Sequence, residues 1–196
     1  MADFVSSSSA VAEPFKTVAL VGKYQAAGIA TALREIAQCI VAGGYRLVFE
    51  RETALNVGID DYPLCTPAEI AQVADVAVVL GGDGTMLGIS RELAAPAGGR
   101  TVPLIGVNLG RLGFMTDIRL EDLRTVLPDM LAGRHSRETR TMLEAQTLRD
   151  GVVIDAGLAL NDVVMTRAGM TGMLELAVTV GGEFMYNQRS DGLIVS

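Results

Sequence analysis

The sequence Val76-Ala77-Val78-Val79-Leu80-Gly81-Gly82-Asp83-Gly84-Thr85 decides the fold of this chain. Its five leading apolar residues are typical of a strand that is buried on both faces, as in parallel sheets. The glycines allow a sharp turn and a close approach to a ligand. Apolar residues follow Thr85, so we expect a helix that opens at Met86, and the N-terminus of such a helix suits a phosphate group.

Asp83 is difficult to explain by packing, because a carboxylate within a phosphate loop repels the ligand unless it binds a metal ion or accepts a proton. Gly-Gly-Asp-Gly can also be an ordinary turn, since both residue types are common in turns. The strand before it and the helix after it favour the phosphate loop. The sequence contains no P-loop motif, and no Gly-x-Gly-x-x-Gly fingerprint follows its first strand.

The composition limits the partners of the protein. The 196 residues suffice for one large domain or two small ones, and the net charge is −7. An acidic chain is a poor candidate for nonspecific nucleic-acid binding, which requires clustered Lys and Arg. No stretch approaches the roughly 18 apolar residues of a membrane span. An anionic ligand must therefore be held by backbone amides, a cation or a few arginines.

The cysteines and the single histidine indicate no metal centre. Cys39 and Cys65 lack metal-ligand spacing, and Cys39 is predicted to be a small core residue of a helix. One histidine, His135, excludes a multi-histidine metal site, and we expect it to face solvent where a helix ends. Residues 1–14 read as a disordered lead-in without the features of a secretory signal. We therefore expect a cytoplasmic protein.

Strand and helix patterns alternate over residues 15–134, which predicts an α/β domain with a Rossmann-like parallel sheet and right-handed crossovers. Ligands of such sheets bind beyond the C-terminal ends of the strands, where the Asp83 loop and the loop after Asn108 both lie. The predicted strands are Thr17–Val21, Arg46–Glu50, Val76–Leu80 and Val102–Val107. The predicted helices are Ile29–Val41, Pro67–Val73, Met86–Leu93 and Glu121–Ala132, the last with Pro128 expected to kink it or end it early.

Residues 135–196 predict an all-β region. Asp150-Gly151 and Gly181-Gly182 are hairpin turn signals between strand-like runs, one of which is Leu158–Met165. About sixty residues must still bury these strands, and the sequence stops directly after a strand-like run. We therefore expect an incomplete all-β domain, unless a partner chain covers it.

Two polar groups interrupt these strands. Adjacent strand residues face opposite ways, so at least one of Asn161 and Asp162 is expected to point inward or into a cleft. They indicate either a bulge or turn between two short strands, or recognition of ribose hydroxyls or a base. Arg189-Ser190-Asp191-Gly192 by itself is more typical of a turn.

Four motifs in this order and spacing resemble the bacterial NAD kinases. They are Leu80–Thr85, Ile105-Gly106-Val107-Asn108-Leu109-Gly110-Arg111-Leu112-Gly113-Phe114, Leu160-Asn161-Asp162-Val163-Val164, and Gln188-Arg189-Ser190-Asp191-Gly192-Leu193-Ile194. The first motif alone is shared with a wider superfamily that includes 6-phosphofructokinases and diacylglycerol kinases. The four motifs together are specific to the NAD kinases, and the resemblance spans about Thr17 to Ser196.

The resemblance implies phosphorylation of NAD at the adenosine ribose 2′-hydroxyl, with ATP or polyphosphate as donor, to give NADP. Asp83 matches the family's general base. The resemblance also implies a divalent cation, commonly magnesium, and a homodimer or homotetramer. The nucleotide-binding residues implied are Gly81, Gly82, Gly84, Thr85, Asn108, Phe114, Asn161, Asp162, Arg189 and Asp191.

The sequence departs from the family in two places. Asp162 stands where many members have Glu, which shortens the reach of the carboxylate by one methylene. The family continues after the last strand with a Thr-Pro-Thr-Gly-Ser-Thr-Ala-Tyr-like stretch that completes the adenine pocket, and this sequence lacks it. We expect a truncated NAD kinase. A lipid or sugar kinase with the same glycine loop and a non-catalytic dinucleotide-binding fragment are the alternatives.

Overall fold

The computed structural model describes residues 13–22, 28–94, 101–110, 113, 115–116, 118–167 and 172–196. The chain divides into two compact units, Met1–Thr139 and Arg140–Ser196. Within the described ranges, no helix is both long enough and apolar enough to cross a membrane.

The first unit is a six-stranded, all-parallel sheet with helices, which confirms the predicted α/β class. The strand order across the sheet is β3-β2-β1-β4-β5-β6, so successive strands are added on one side of β1 up to β3 and on the other side from β4 onward. Doubly wound sheets place their ligands at such a switch point, here between β1 and β4. Its strands are β1 Thr17–Gly22, β2 Arg46–Glu50, β3 Leu64–Cys65, β4 Val76–Gly81, β5 Leu104–Asn108 and β6 Ile118–Arg119. Its helices are α1 Ile29–Ala42, α2 Arg51–Val57, α3 Pro67–Val73, α4 Asp83–Ala94 and α5 Leu120–Leu131.

The central strands explain why the sheet needs helices on both faces. Every residue of β1 and β4 is buried, so both faces of each strand require an apolar cover. Two apolar clusters supply it, one including α1 and α5 and the other including α3 and α4. This packing fixes the C-terminal end of β4, and with it the Asp83 segment.

Two of the single-residue expectations are wrong. Cys39 is exposed, because the buried face of α1 runs through Ile36 and Ile40, and Cys39 lies one residue off that face. His135 is half-buried rather than solvent-facing. Its ring stacks on Phe15 with 5.3 Å between centroids.

Helix α2 and the short strands β3 and β6 were not predicted. Helix α2 has seven residues and buries two of them, so it leaves little periodicity in the sequence. Its N-cap is Glu50, which is not a preferred N-cap residue. Helix α5 extends three residues beyond Pro128, so early termination at that proline does not occur.

A buried hydroxyl joins α2 to the end of β1. Thr53 is 1% exposed, and its Oγ1 accepts a hydrogen bond from the Gly22 amide at 3.0 Å. The same Oγ1 lies 2.6 Å from Glu50 Oε2 and 3.1 Å from the Gly22 carbonyl oxygen, two acceptors for its single proton. The Glu50 carboxylate, 7% exposed, also accepts from the amides of Glu52 and Thr53.

We expect Thr53→Val to lower the free energy of unfolding by about 1 to 3 kcal/mol, because it leaves the buried Gly22 amide and Glu50 carboxylate with fewer partners. Urea unfolding followed by circular dichroism measures this. Thr125→Val, the same change at an exposed position of α5, should stay within about 0.5 kcal/mol of the parent. Equal unfolding midpoints for the two variants would contradict the network.

The described residues of the second unit form three antiparallel strand pairs, β7–β8, β10–β11 and β9–β12, which confirms the predicted all-β class. The strands are β7 Leu143–Arg149, β8 Val152–Ala159, β9 Val163–Thr166, β10 Leu174–Val180, β11 Glu183–Ser190 and β12 Gly192–Val195. Large apolar side chains on them are exposed, among them Val152 at 63% and Ile194 at 66%. The strand-like run over Leu158–Met165 divides into β8 and β9, in agreement with the alternative of a turn between two short strands.

Candidate functional site

The Asp83 segment is the first turn of α4. The Gly82 carbonyl oxygen accepts hydrogen bonds from the amides of Thr85 at 3.0 Å and Met86 at 3.2 Å, so the helix begins at Asp83. The expected start at Met86 is therefore three residues late. The carboxylate of Asp83 lies at the positive end of the helix dipole, where a negative charge is stabilised.

The end of β4 is packed too closely for a side chain at Gly81. A Cβ at Gly81 would lie 2.4 Å from Thr85 Oγ1 and 2.6 Å from Thr85 Cβ. The Gly81 carbonyl oxygen accepts from the Leu109 amide at 3.2 Å. Gly81 thus brings the start of α4 against the ends of β4 and β5, as expected of a strand-end loop.

Asn108, the last residue of β5, is 5% exposed and makes internal contacts. Its Oδ1 accepts from the Gly110 amide at 2.6 Å. Its Nδ2 donates to Thr116 Oγ1 at 2.8 Å and lies 3.4 Å from the Thr116 carbonyl oxygen. These contacts favour a role in holding the loop, and direct nucleotide contact by Asn108 stays a prediction.

The Asp83 carboxylate reaches the same loop. Its Oδ1 accepts from the Met115 amide at 3.1 Å and from Thr116 Oγ1 at 3.2 Å. Asp83 therefore has a structural share in joining α4 to the loop after β5.

Gly113 leaves room for this carboxylate. A Cβ at Gly113 would lie 2.1 Å from Asp83 Oδ1 and 2.6 Å from its Cγ, well inside van der Waals contact. The Gly113 amide donates to the Thr116 carbonyl oxygen at 3.3 Å, which closes the turn around the carboxylate. A residue other than glycine at this position must displace Asp83.

The first unit therefore brings together six of the predicted site residues, namely Gly81, Gly82, Asp83, Gly84, Thr85 and Asn108. Phe114 lies outside the described residues. Sequence reasoning did not single out Gly113, Met115 or Thr116 as partners of Asp83. Their one sequence signal is position, since they follow the strand that pairs with β4.

The remaining predicted site residues lie in the second unit. Asn161 and Asp162 occupy the bend between β8 and β9, and both are exposed. Neither is buried, because the strand breaks there and the alternation of side chains ends with it, and an orientation of one of them into a cleft stays a prediction. Arg189 is an exposed residue of β11, and Asp191 is exposed between β11 and β12.

A metal ion would find few protein ligands here. In the part of the chain that the structure describes, no three His, Cys, Asp or Glu side chains are grouped so that they could hold a metal. Magnesium in nucleotide sites is usually held by one or two carboxylates together with substrate phosphates. Asp83 at the end of β4 fits that minimal donor set.

Comparison with known proteins shows similarity to NAD kinases. Residues 18–135 match the ATP-NAD kinase N-terminal domain. The NAD kinase of Ralstonia nicotianae is 62% identical over 192 residues, which cover 98% of this chain and 62% of that protein. The NAD kinase of Cupriavidus pinatubonensis is 62% identical over 189 residues, 96% of this chain and 61% of that protein. The chain thus spans about three fifths of the length of these relatives.

Two solved structures share the fold. The yeast NADH kinase complexed with NADH matches with a TM-score of 0.80 at 20% identity, covering 93% of this chain and 57% of that chain. The NAD kinase from Archaeoglobus fulgidus in complex with ATP matches with a TM-score of 0.65 at 22% identity, covering 91% of this chain and 59% of that chain. At these identities the likeness shows the fold alone.

Proposed function

The chain belongs to the ATP-NAD kinase family, and on that basis we propose that the protein uses ATP to phosphorylate NAD at the 2′-hydroxyl of its adenosine ribose, giving NADP. The observation that carries the proposal is the Asp83 carboxylate at the N-terminus of α4, beside the end of β4. Glycines stand directly before and after Asp83 in the sequence, and the N-terminus of a helix suits a phosphate group.

Phosphoryl transfer asks the protein mainly for positioning and charge neutralisation. The ribose 2′-oxygen attacks the γ-phosphorus, its bond to phosphorus forms as the bond from that phosphorus to the ADP oxygen breaks, and ADP leaves. Asp83 accepts the proton of the 2′-hydroxyl. The transition state is loose, so the proton is lost late and a carboxylate is a sufficient base.

The first turn of α4 holds the donor phosphates in this proposal. Gly82 and Gly84 supply backbone amides and Thr85 supplies a hydroxyl at the positive end of the helix, and Gly81 leaves room for the Thr85 side chain. A magnesium ion would offset the phosphate charge when bound, and Asp83 could contact it. A cytoplasmic location and a homodimer or homotetramer belong to the same proposal, supported by the family resemblance.

The dinucleotide is proposed to contact Phe114, Asn161, Asp162, Arg189 and Asp191. Exposed amide and carboxylate groups at a strand break can reach ribose hydroxyls without first losing an internal partner. The exposure of Asn161 and Asp162 is consistent with this role and also with the alternative, a turn between two short strands without a ligand.

We expect Asn161→Ala to raise the Kd for NAD by about two- to tenfold, the equivalent of one hydrogen bond, as measured by calorimetry. Asn56→Ala is the matched control, because Asn56 is exposed on α2 and its Nδ2 bonds the Glu52 carbonyl of its own helix. An unchanged Kd in Asn161→Ala would contradict its assignment to the dinucleotide site.

A substrate panel separates the proposal from a lipid or sugar kinase with the same glycine loop. Transfer of the γ-phosphate of ATP is measured to NAD, to a diacylglycerol and to fructose 6-phosphate. The proteins are this chain and a chimera that adds the part of the Ralstonia nicotianae relative outside the match. NAD is the expected acceptor. Preferential transfer to the lipid or the sugar would refute the proposal, and NAD binding without transfer would favour a non-catalytic binding protein.

A further inference from the structure

A buried hydroxyl lies directly behind the proposed base. Thr116 is 0% exposed, so its Oγ1 cannot be satisfied by bulk water and needs protein partners. Two polar side chains meet it, Asn108 at 2.8 Å and Asp83 at 3.2 Å. Packing alone does not require a hydroxyl between an amide and a carboxylate.

The direction of each bond follows from the chemistry of the groups. The Asn108 side chain must place its oxygen toward the Gly110 amide, and its Nδ2 then faces the hydroxyl and the carbonyl oxygen of Thr116. Thr116 Oγ1 therefore accepts from Asn108. Its single proton is left for Asp83 Oδ1, a group that accepts hydrogen bonds when ionised.

The other side of Thr116 is also constrained. A Cβ at Gly106 of β5 would lie 3.2 Å from Thr116 Cγ2, so the Thr116 methyl packs over the glycine of the central sheet. The methyl contact and the Asn108 bond together hold the hydroxyl toward Asp83. The Thr116 side chain thereby links the Asp83 carboxylate to β5, and this link does not require Thr116 to contact a nucleotide.

We propose that Thr116 is a positioning residue whose buried hydroxyl, oriented by Asn108, holds the Asp83 carboxylate in place for proton transfer. This inference rests on the proposed function. Oriented hydrogen bonds behind a base keep it in productive geometry and favour its ionised form. Thr116 acts through Asp83 and contacts neither substrate.

The test compares Thr116→Val, which keeps the shape and removes the hydroxyl, with Thr116→Ser, which keeps the hydroxyl. Thr116→Val should lower kcat by about tenfold with little change in the KM for NAD or ATP, and Thr116→Ser should restore most of it. The acidic limb of the pH–rate profile should move to higher pH in Thr116→Val and return in Thr116→Ser, because the ionised carboxylate has lost a donor. In the Asp83→Asn background, Thr116→Val should have no further effect.

A second measurement does not depend on activity. NMR of the 196-residue chain should show a slowly exchanging Thr116 hydroxyl proton, and Asp83→Ala should speed its exchange. An active parent in which Thr116→Val keeps the parental kcat and pH profile would overturn the positioning role. The positioning role would also be overturned if Thr116→Val and Thr116→Ser lost activity to the same extent and thermal stability to the same extent. A parent that forms no NADP would instead refute the proposed function, and the positioning role would fall with it.

Discussion

Replacing Asp83 by Asn is expected to lower kcat for NADP formation by a factor of about 10² to 10⁴, the usual contribution of a general base. The amide oxygen of asparagine can still accept from the Met115 amide and the Thr116 hydroxyl, so the contacts at Oδ1 persist. The variant loses the basicity of the side chain and keeps its shape. Coupled spectrophotometry of NADP formation measures the change.

Binding and folding serve as controls for Asp83→Asn. The Kd for NAD and the melting temperature should stay close to those of the parent, since the amide keeps an oxygen for the Met115 and Thr116 donors. A variant that binds NAD and turns over at the parental rate would eliminate the base role. A variant that unfolds would show that Asp83 is mainly structural, through its contacts with the loop after β5.

Gly113→Ala should lower kcat by a factor of about 10², because displacing a catalytic group by about 1 Å has an effect of this size. The new Cβ would sit 2.1 Å from Asp83 Oδ1, a distance that no side chain tolerates, and the carboxylate must move. The substitution alters no chemical group of the proposed site. It therefore tests whether the location of the carboxylate, rather than its presence, sets the rate.

Gly110→Ala is the matched control on the same loop. A Cβ at Gly110 meets no described atom within 4 Å, so parental kcat is expected. Equal loss in both variants would indicate general disruption of the loop. A parental rate in Gly113→Ala would show that Asp83 does not need its observed position.

The parallel sheet and the location of the site were predictable because their signals are local. Val76–Leu80 is apolar without interruption, and a strand of this kind in an α/β pattern ends at a ligand-binding edge. The start of α3 has a local basis as well: Thr66 and Glu69 stand three residues apart as a capping box, and the structure contains both of its hydrogen bonds.

What could not be predicted depends on tertiary contacts. No pattern in the sequence states that Thr116 meets Asp83, because 33 residues separate them and β5 brings them together. The apolar residues on both sides of Asn161 and Asp162 left a continuous strand-like run and a turn between two short strands as alternatives, and the structure has the turn, between β8 and β9. The start of α4 was placed late because glycine is a poor helix former, although the first turn needs few intrahelical bonds.

The central claim is that this chain carries the base of an ATP-dependent NAD kinase. The most direct test is an incubation of NAD with magnesium and with ATP that is labelled in the γ-phosphate. The proteins tested are this chain and the chimera that adds the part of the Ralstonia nicotianae relative outside the match. We predict labelled phosphate on the adenosine 2′-oxygen of the dinucleotide, with the signal lost in Asp83→Asn. Folded proteins that bind NAD and leave it unlabelled, or an Asp83→Asn variant that labels it as fast as the parent, would contradict the account.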